Sequence, residues 1–298
     1  MTRSGRTLCA ALLWCLSSQA AFAADILFVG NSFTYGEGTP VMSYRANTVT
    51  DLNGEGVGGV PALFKAFAVQ AGLDYRVFLE THPGVGIDWH LEHQALKLDQ
   101  RWDAVLLQSY STLDARHPGD AATLVGSVQR AAQILKKRNA AVDVRLVATW
   151  SRADQTYQPT GHWYGKPVEA MANDVRAGYD KAAAAAPLVK GVIPVGQAWS
   201  RAMQRGVADA NPYDGIDAGK VNLWGQDHYH ASVYGYYLEA LVIFGSVTAR
   251  DPRSLGEKEQ AAADLGISPQ QAAALQQVAF EQLRADGVKL AAPGDSRF

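Results

Sequence analysis

Short apolar runs alternate with longer amphipathic stretches along most of the chain. The runs with strand character cover 25–30, 74–80, 103–109, 142–149 and 191–195, and the patterns of helical period lie near 61–72, 119–138, 167–186 and 231–249. Short apolar runs that end at a turn are typical of strands buried on both faces in a parallel sheet. The alternation therefore predicts an α/β fold in which a mainly five-stranded parallel sheet is covered by helices.

Three stretches depart from this alternation. The glycine-rich stretch 36–59 follows the first strand and is long for a loop inside a compact domain, so we expect it to be functional or mobile. Residues 151–166 are rich in Trp, Tyr and His and are expected on the rim above the sheet. After Pro252 the composition turns to Ala, Gln and Glu, and the serine–proline pair at 268–269 predicts the start of a further helix.

The N-terminal residues have the pattern of a secretory signal peptide. A basic start with Arg3 and Arg6 precedes a short apolar stretch and the small-residue cleavage sequence Ala21-Phe-Ala23. Because the apolar stretch is too short to cross a bilayer, we expect cleavage after Ala23 and export to a bacterial periplasm or medium. The chain then divides into a signal peptide (1–23), a main domain (24–250) and a helical C-terminal extension (251–298) that packs on it.

Cysteine content and charge exclude several classes of function. Cys9 and Cys15 are the only cysteines and both lie in the predicted signal peptide, so the mature chain is expected to hold no disulfide and no cysteine metal ligand. The whole chain has 27 basic and 29 acidic residues, a net charge of −2, and the loss of Arg3 and Arg6 leaves 25 against 29, or −4. Without a basic stripe, nucleic acid is a poor candidate partner.

A serine stands directly after the first predicted strand. The apolar run Ile26-Leu-Phe-Val29 leads into Gly30-Asn-Ser32, and open α/β sheets hold their chemistry at the carboxyl ends of the strands. Ser32 is thus a candidate nucleophile, although a serine that caps the next helix, or a phosphate-type loop, would fit the same three residues. A serine hydroxyl is a weak nucleophile that needs a positioned base.

The candidate base lies far downstream, in Asp227-His-Tyr-His230. With this spacing the Asp227 carboxylate can accept a hydrogen bond from Nδ1–H of His230, which fixes the tautomer and leaves Nε2 to face a serine. A surface loop with a helix-capping aspartate is the plainer alternative. A metal site at His228 and His230 is another, but it lacks an evident third ligand unless folding brings His90 or His93 nearby, and we expect no metal.

Candidate donors for a developing oxyanion also follow predicted strands. The backbone N–H of Ser32 is one by position. Gly86 follows the second strand, where a glycine permits close approach of the backbone to a ligand. Gln108 ends the third strand after a run of apolar residues, and its amide is either a donor into the site or a buried group with partners of its own.

In their order along the chain, these motifs resemble the SGNH (GDSL-like) hydrolase superfamily. Gly30-Asn-Ser32, Gly86 and Gln108 stand at successive strand ends, Asp227-x-x-His230 precedes a late helix, and the resemblance spans 25 to about 249. The chain looks most like a bacterial branch in which Gly-Asn-Ser replaces Gly-Asp-Ser and Leu-Gln stands where the superfamily has Gly-x-Asn-Asp.

The resemblance implies a three-layer α/β/α sandwich of flavodoxin-like type and hydrolysis of esters without a cofactor. It implies Ser32 as the nucleophile, His230 as the base and Asp227 as the residue that orients the histidine. The implied oxyanion donors are the N–H groups of Ser32 and Gly86, with Gly84 as the alternative to Gly86, and the side chain of Gln108.

Two positions depart from the superfamily pattern. Asn31 replaces an aspartate that is not a member of the triad, so this change is expected to matter little. Gln108 replaces the asparagine that gives the superfamily its N, and its extra methylene moves the donor and adds a rotamer to be held.

The expected substrates are small-molecule or glycan esters with a short acyl group, including O-acetyl groups on carbohydrate. Trp163 lies in a polar loop where an exposed aromatic side chain can stack on a sugar ring, and we place it on the substrate rim with Asn31 and Trp150. Two other functions fit the same residues. They are a catalytically weak glycan-binding protein and an acyltransferase, which would differ from a hydrolase only in the acceptor that reaches the acyl-enzyme.

Overall fold

Six parallel strands form the central sheet of the computed structural model, which describes residues 23–291. The strands are β1 (Ala24–Gly30), β2 (Thr50–Asp51), β3 (Tyr75–Thr81), β4 (Ala104–Leu107), β5 (Asp143–Ala148) and β6 (Val189–Pro194). Their spatial order is β2-β3-β1-β4-β5-β6, and every neighbouring pair is parallel. The predicted signal peptide with Cys9 and Cys15 lies, apart from Ala23, outside the described residues.

The prediction of a mainly five-stranded parallel sheet is confirmed, and the sixth strand is a short addition at one edge. β2 has two residues, which pair with Phe78 and Leu79 of β3. It lies in the glycine-rich stretch 36–59, where two strand residues are too few to show any periodicity.

Eleven α-helices lie within the described residues. They are α1 (Ser32–Tyr35), α2 (Gly59–Gln70), α3 (Ile87–His93), α4 (Ala95–Leu98), α5 (Ala122–Arg138), α6 (Ala153–Thr156), α7 (Glu169–Ala185), α8 (Val195–Gln204), α9 (Val233–Thr248), α10 (Gln260–Asp264) and α11 (Pro269–Ala285), with 3₁₀ turns at Pro40–Ser43, Ala46–Thr48 and Pro252–Leu255. No helix in the described part of the chain has the length and apolar character needed to cross a membrane.

Alternate residues of β1 separate two apolar cores. Ile26 and Phe28 belong to the core shared with α2, α8 and α9, and Leu27 and Val29 belong to the core shared with α3, α5 and α7. Since successive side chains of a strand point to opposite faces, both faces of β1 are buried. The result is the expected three-layer α/β/α sandwich.

One predicted strand is wrong at its end. The apolar stretch that begins in β6 continues past Pro194 as a helix, α8, and not as strand. Val195, Ala198, Trp199 and Ala202 are all buried, and their spacing of i, i+3, i+4 and i+7 is the apolar face of a helix. The proline and the preceding apolar run hide this period in the sequence.

The residues after 251 contribute to the same core as α9. Buried apolar side chains from this segment lie in that core, and among them are Leu255, Leu275, Val278 and Leu283. The helix predicted from the serine–proline pair is α11, which begins with a Ser268 capping box and Pro at its first position. This segment also contacts the stretch 36–59, because Asp264 accepts a hydrogen bond from the Tyr44 hydroxyl at 2.9 Å.

Candidate active site

Ser32 is the first residue of α1, directly after the turn that ends β1. The side chain of Asn31 caps this helix by accepting a hydrogen bond from the N–H of Phe33 at 3.1 Å. Asn31, and not Ser32, therefore takes the capping role, which removes the plainer explanation of the serine. Ser32 is 4% exposed and lies at the carboxyl end of a central strand.

Asp227 and His230 form a hydrogen-bonded pair in the loop before α9. His230 Nδ1 lies 2.6 Å from Asp227 Oδ2, and Asp227 Oδ1 accepts the backbone N–H groups of Tyr229 at 3.0 Å and His230 at 2.9 Å. One carboxylate thus holds both the turn and the imidazole ring, as the spacing predicts. The His230 side chain is 14% exposed and that of Asp227 is 51% exposed.

The electrostatics of Asp227 favour its charged form. Partial burial acts to raise the pKa of this carboxyl, but the hydrogen bond to His230 and those from the two backbone N–H groups outweigh it and lower the pKa below its usual value. Asp227 is therefore ionised at neutral pH and able to stabilise an imidazolium.

The end of β1 and the loop of His230 lie side by side. The His230 ring centroid is 5.6 Å from the ring of Phe33, the residue after Ser32, and the Tyr236 hydroxyl donates to the Ser32 carbonyl oxygen at 3.1 Å. Within residues 23–291 no hydrogen bond joins the Ser32 hydroxyl to His230. In structures without substrate, the hydrogen bond between a nucleophile and its base is often long, and it shortens when substrate binds.

Aromatic and cationic side chains anchor the His230 loop to the end of β5. The Arg152 guanidinium lies 3.6 Å from the ring centroid of Tyr229, and the Trp150 indole N–H donates to the Tyr229 carbonyl oxygen at 3.3 Å. The Tyr229 ring in turn lies 4.1 Å from the His230 ring. A desolvated cation over an aromatic ring is attracted to it, so Arg152 stabilises the position of this loop. Sequence reasoning missed this contact because Arg152 and Tyr229 are distant in the chain.

Gln108 is buried and its amide has partners of its own. Its Oε1 accepts the Asn31 N–H at 2.9 Å and the Thr34 hydroxyl at 3.1 Å, and its Nε2 donates to the carbonyl oxygen of Ser109. The side chain therefore ties the turn after β1 to the end of β4. Its predicted role as an oxyanion donor depends on the second N–H of the same amide and stays a prediction.

Gly86 caps α3 and lies against the ring of Tyr110. A Cβ built at Gly86 would be 2.4 Å from Tyr110 Cε2 and 2.6 Å from Asp88 Oδ1, so only glycine fits there. Burial and the nearby Asp88 carboxylate raise the pKa of the Tyr110 hydroxyl, while the N–H of Gly86 acts in the opposite direction. The sequence does not reveal this close approach of Gly86 to the Tyr110 ring. Gly84 has a positive φ of 71° and open space around it.

The predicted aromatic rim is wrong in its residues. Trp150 and Trp163 are both fully buried. Trp150 stacks between Phe33 and Trp199, with ring centroids 4.3 and 4.5 Å away, and the Trp163 indole N–H donates to Asp174 Oδ2 at 2.8 Å. Neither indole can meet a substrate, because each is part of a packed core. Asn31 is also buried and acts as the helix cap.

A groove of about 760 Å³ runs beside Asp227 and His230. One wall is formed by 37–40, the beginning of the glycine-rich stretch, and the other by residues of 222–234. Near this groove Tyr213 is 40% exposed, and its ring lies 4.2 Å from that of the groove residue His228. Tyr213 is the exposed aromatic residue that sequence reasoning missed, although its place in a polar, proline-containing segment was a signal for a surface loop.

The alternative metal site does not assemble. Within residues 23–291 no group of three or more His, Cys, Asp or Glu side chains is arranged to hold a metal. His90 is fully buried against Glu80, and the His93 ring stacks on Trp89 at 4.6 Å.

Comparison with known structures shows that this is the fold of the SGNH/GDSL-like hydrolases. A DUF4886 family protein from Bacteroides uniformis is 17% identical, with a TM-score of 0.60 over 91% of this chain and 98% of the other. A protein from Parabacteroides merdae proposed to be a GDSL-like lipase is 16% identical, with a TM-score of 0.51 over 74% of this chain and 93% of the other. At these identities the likeness concerns the fold alone. No protein-family model matches the chain, and no curated protein matches it significantly.

Proposed function

We propose that this protein is a serine esterase that acts on small-molecule or glycan esters with a short acyl group. The observation that carries the proposal is the Asp227–His230 pair at 2.6 Å, set beside the end of β1 where Ser32 begins α1. A buried serine at a strand end, an imidazole next to it and a carboxylate on Nδ1 are the parts that nucleophilic ester cleavage needs.

In this mechanism the Ser32 oxygen attacks the ester carbonyl while His230 Nε2 takes its proton. Asp227 holds the ring and stabilises the imidazolium. The oxyanion is stabilised by the N–H groups of Ser32 and Gly86, with Gln108 as a third donor. His230 then protonates the leaving alcohol, and water attacks the acyl-enzyme to release the acid and restore the serine.

The groove beside His230 is the proposed site of the alcohol part of the substrate. It lies next to the group that protonates the leaving oxygen, and its lining includes the polar residues Thr39, Asn222 and Gln226. Polar side chains there suit a hydroxylated leaving group, such as a carbohydrate that carries an O-acetyl group. An exported protein would meet such substrates, and export is part of this proposal.

Hydrolysis of p-nitrophenyl acetate by the mature chain tests the esterase. We expect activity in the wild type, a loss of at least about 10³-fold in Ser32→Ala and in His230→Ala, and wild-type activity in His93→Ala, the matched histidine control. Equal rates in Ser32→Ala and the wild type would reject Ser32 as the nucleophile.

A glycan-binding protein on the same fold is the second candidate function. The observation that favours it is the exposed ring of Tyr213 against His228 near the groove, because aromatic faces stack on sugar rings. Glycan binding that is lost in Tyr213→Ala, together with no hydrolysis by the wild type, would support this function over the esterase. An acyltransferase would be recognised by acyl transfer to an added alcohol in place of water.

A further inference from the structure

A fully buried acid–histidine pair lies beneath the turn that carries the nucleophile. Glu80 near the end of β3 and His90 in α3 are both inaccessible to solvent, and His90 Nδ1 contacts Glu80 Oε2 directly. The other ring nitrogen, His90 Nε2, is 3.0 Å from the carbonyl oxygen of Gly30. The pair is distinct from Asp227 and His230, and the proposed mechanism does not use it.

The Gly30 carbonyl oxygen determines that His90 Nε2 is the protonated nitrogen of this contact. A carbonyl oxygen can only accept, so Nε2 must carry the hydrogen that it donates to Gly30. The opposite ring nitrogen, Nδ1, contacts the Glu80 carboxyl, so the ring is held from that side while Nε2–H is directed at Gly30.

The peptide bond between Gly30 and Asn31 is held at both of its polar atoms. Its carbonyl oxygen accepts from His90 Nε2 and, at 3.2 Å, from the backbone N–H of His82. Its N–H donates to Gln108 Oε1 at 2.9 Å. The next peptide unit supplies the N–H of Ser32, and the hydroxyl belongs to the same residue.

We propose that His90, held by Glu80, is a positioning residue for the nucleophile. By fixing the carbonyl of Gly30, it sets the rotation of the peptide before Asn31 and with it the direction of the hydroxyl and N–H of Ser32. The inference rests on the proposed esterase function. Stability alone does not account for the pair, because replacing both partners of a buried polar contact by apolar side chains of similar size is often neutral or stabilising.

The test separates positioning from stability with a double variant, Glu80→Leu together with His90→Leu. It removes both polar groups at once, so no unpaired charge is left in the core. We expect a folded protein with a melting temperature equal to or above that of the wild type. We expect kcat for p-nitrophenyl acetate to fall about 10- to 100-fold, the effect of a misplaced reacting group, with KM unchanged.

Two single variants keep the test decisive if the double variant does not fold. In His90→Gln the amide Nε2 reaches nearly as far as the imidazole Nε2 and can still donate to Gly30, whereas the amide of His90→Asn is too short. We expect kcat to be largely retained in His90→Gln and lost in His90→Asn. His93→Leu, an exposed position in the same helix, is the control and should retain wild-type kcat.

The outcomes separate this inference from the esterase proposal. Wild-type kcat in a folded double variant, or equal kcat in His90→Gln and His90→Asn, would overturn the positioning role and leave the esterase standing. An inactive wild type, or full activity in Ser32→Ala, would overturn the esterase proposal and the positioning role with it.

Discussion

Replacement of Gly30 by alanine is a sharp test of how closely the turn after β1 is packed. A Cβ at this position would lie 2.1 Å from Thr34 Oγ1 and 2.7 Å from Gln108 Oε1. Thr34 Oγ1 and Gln108 Oε1 are themselves joined by a hydrogen bond of 3.1 Å. The new methyl group therefore cannot be accommodated unless both the Thr34 side chain and the Gln108 amide move away from it.

The size of the effect follows from these contacts. Insertion of a methyl group into a packed interior costs about 1–3 kcal/mol. Displacement of Gln108 also weakens its hydrogen bonds to the Asn31 N–H and the Thr34 hydroxyl, each worth about 1 kcal/mol. We expect Gly30→Ala to lower the free energy of unfolding by about 2–4 kcal/mol.

Urea unfolding of Gly30→Ala beside Gly126→Ala measures this effect. Gly126 lies within α5 and has no heavy atom within 4 Å of a built Cβ, so the same substitution there should raise stability by about 0.5–1 kcal/mol. Opposite signs for the two variants are the expected result. A Gly30→Ala protein as stable as the wild type would refute the close packing described here.

Three further changes test the site and the fold. Asp227→Asn should lower kcat by about 10³-fold or more while thermal unfolding changes little, because the half-exposed carboxylate acts on His230; equal kcat would contradict its orienting role. Gly86→Ala pushes a methyl group into the adjacent tyrosine ring at 2.4 Å and should lower kcat by about 10-fold or more, with unchanged circular dichroism. Hydrogen bonds from Arg205 and Gln277 lower the pKa of Glu281 from 4.5 to about 2. The stability that the ionised Glu281 carboxylate contributes is therefore full above pH 4.5 and is lost as the pH falls through about 2. Glu281→Gln should therefore be less stable than the wild type by up to about 1 kcal/mol at pH 7, and this difference should shrink as the pH falls through about 2; a stability difference that does not depend on pH would contradict this.

Local patterns predicted most of the sheet and one part of the site. The central strands can be predicted because each is an apolar run buried on both faces. The Asp227–His230 contact can be predicted because the two residues are only three positions apart in the chain. The serine at the end of β1 follows from the position of the strand alone. These features depend on neighbours in sequence, which a single chain displays directly.

The features that were missed depend on partners from distant parts of the chain. Trp163 stands in a polar segment, yet the carboxylate of Asp174 satisfies its indole N–H and allows full burial. Glu80 and His90 are residue types usually found at the surface, and their burial depends on their contact with each other and on the bond from His90 to the Gly30 carbonyl oxygen. The buried environment of Gln108 depends in the same way on the turn that it contacts.

The most direct test of the central claim is the covalent trapping of Ser32. After reaction of the mature chain with a fluorophosphonate, intact mass and peptide mapping should show one adduct on Ser32, absent in Ser32→Ala and strongly slowed in His230→Ala. An adduct on another residue, or equal labelling of Ser32→Ala and the wild type, would contradict the assignment of Ser32 as the nucleophile.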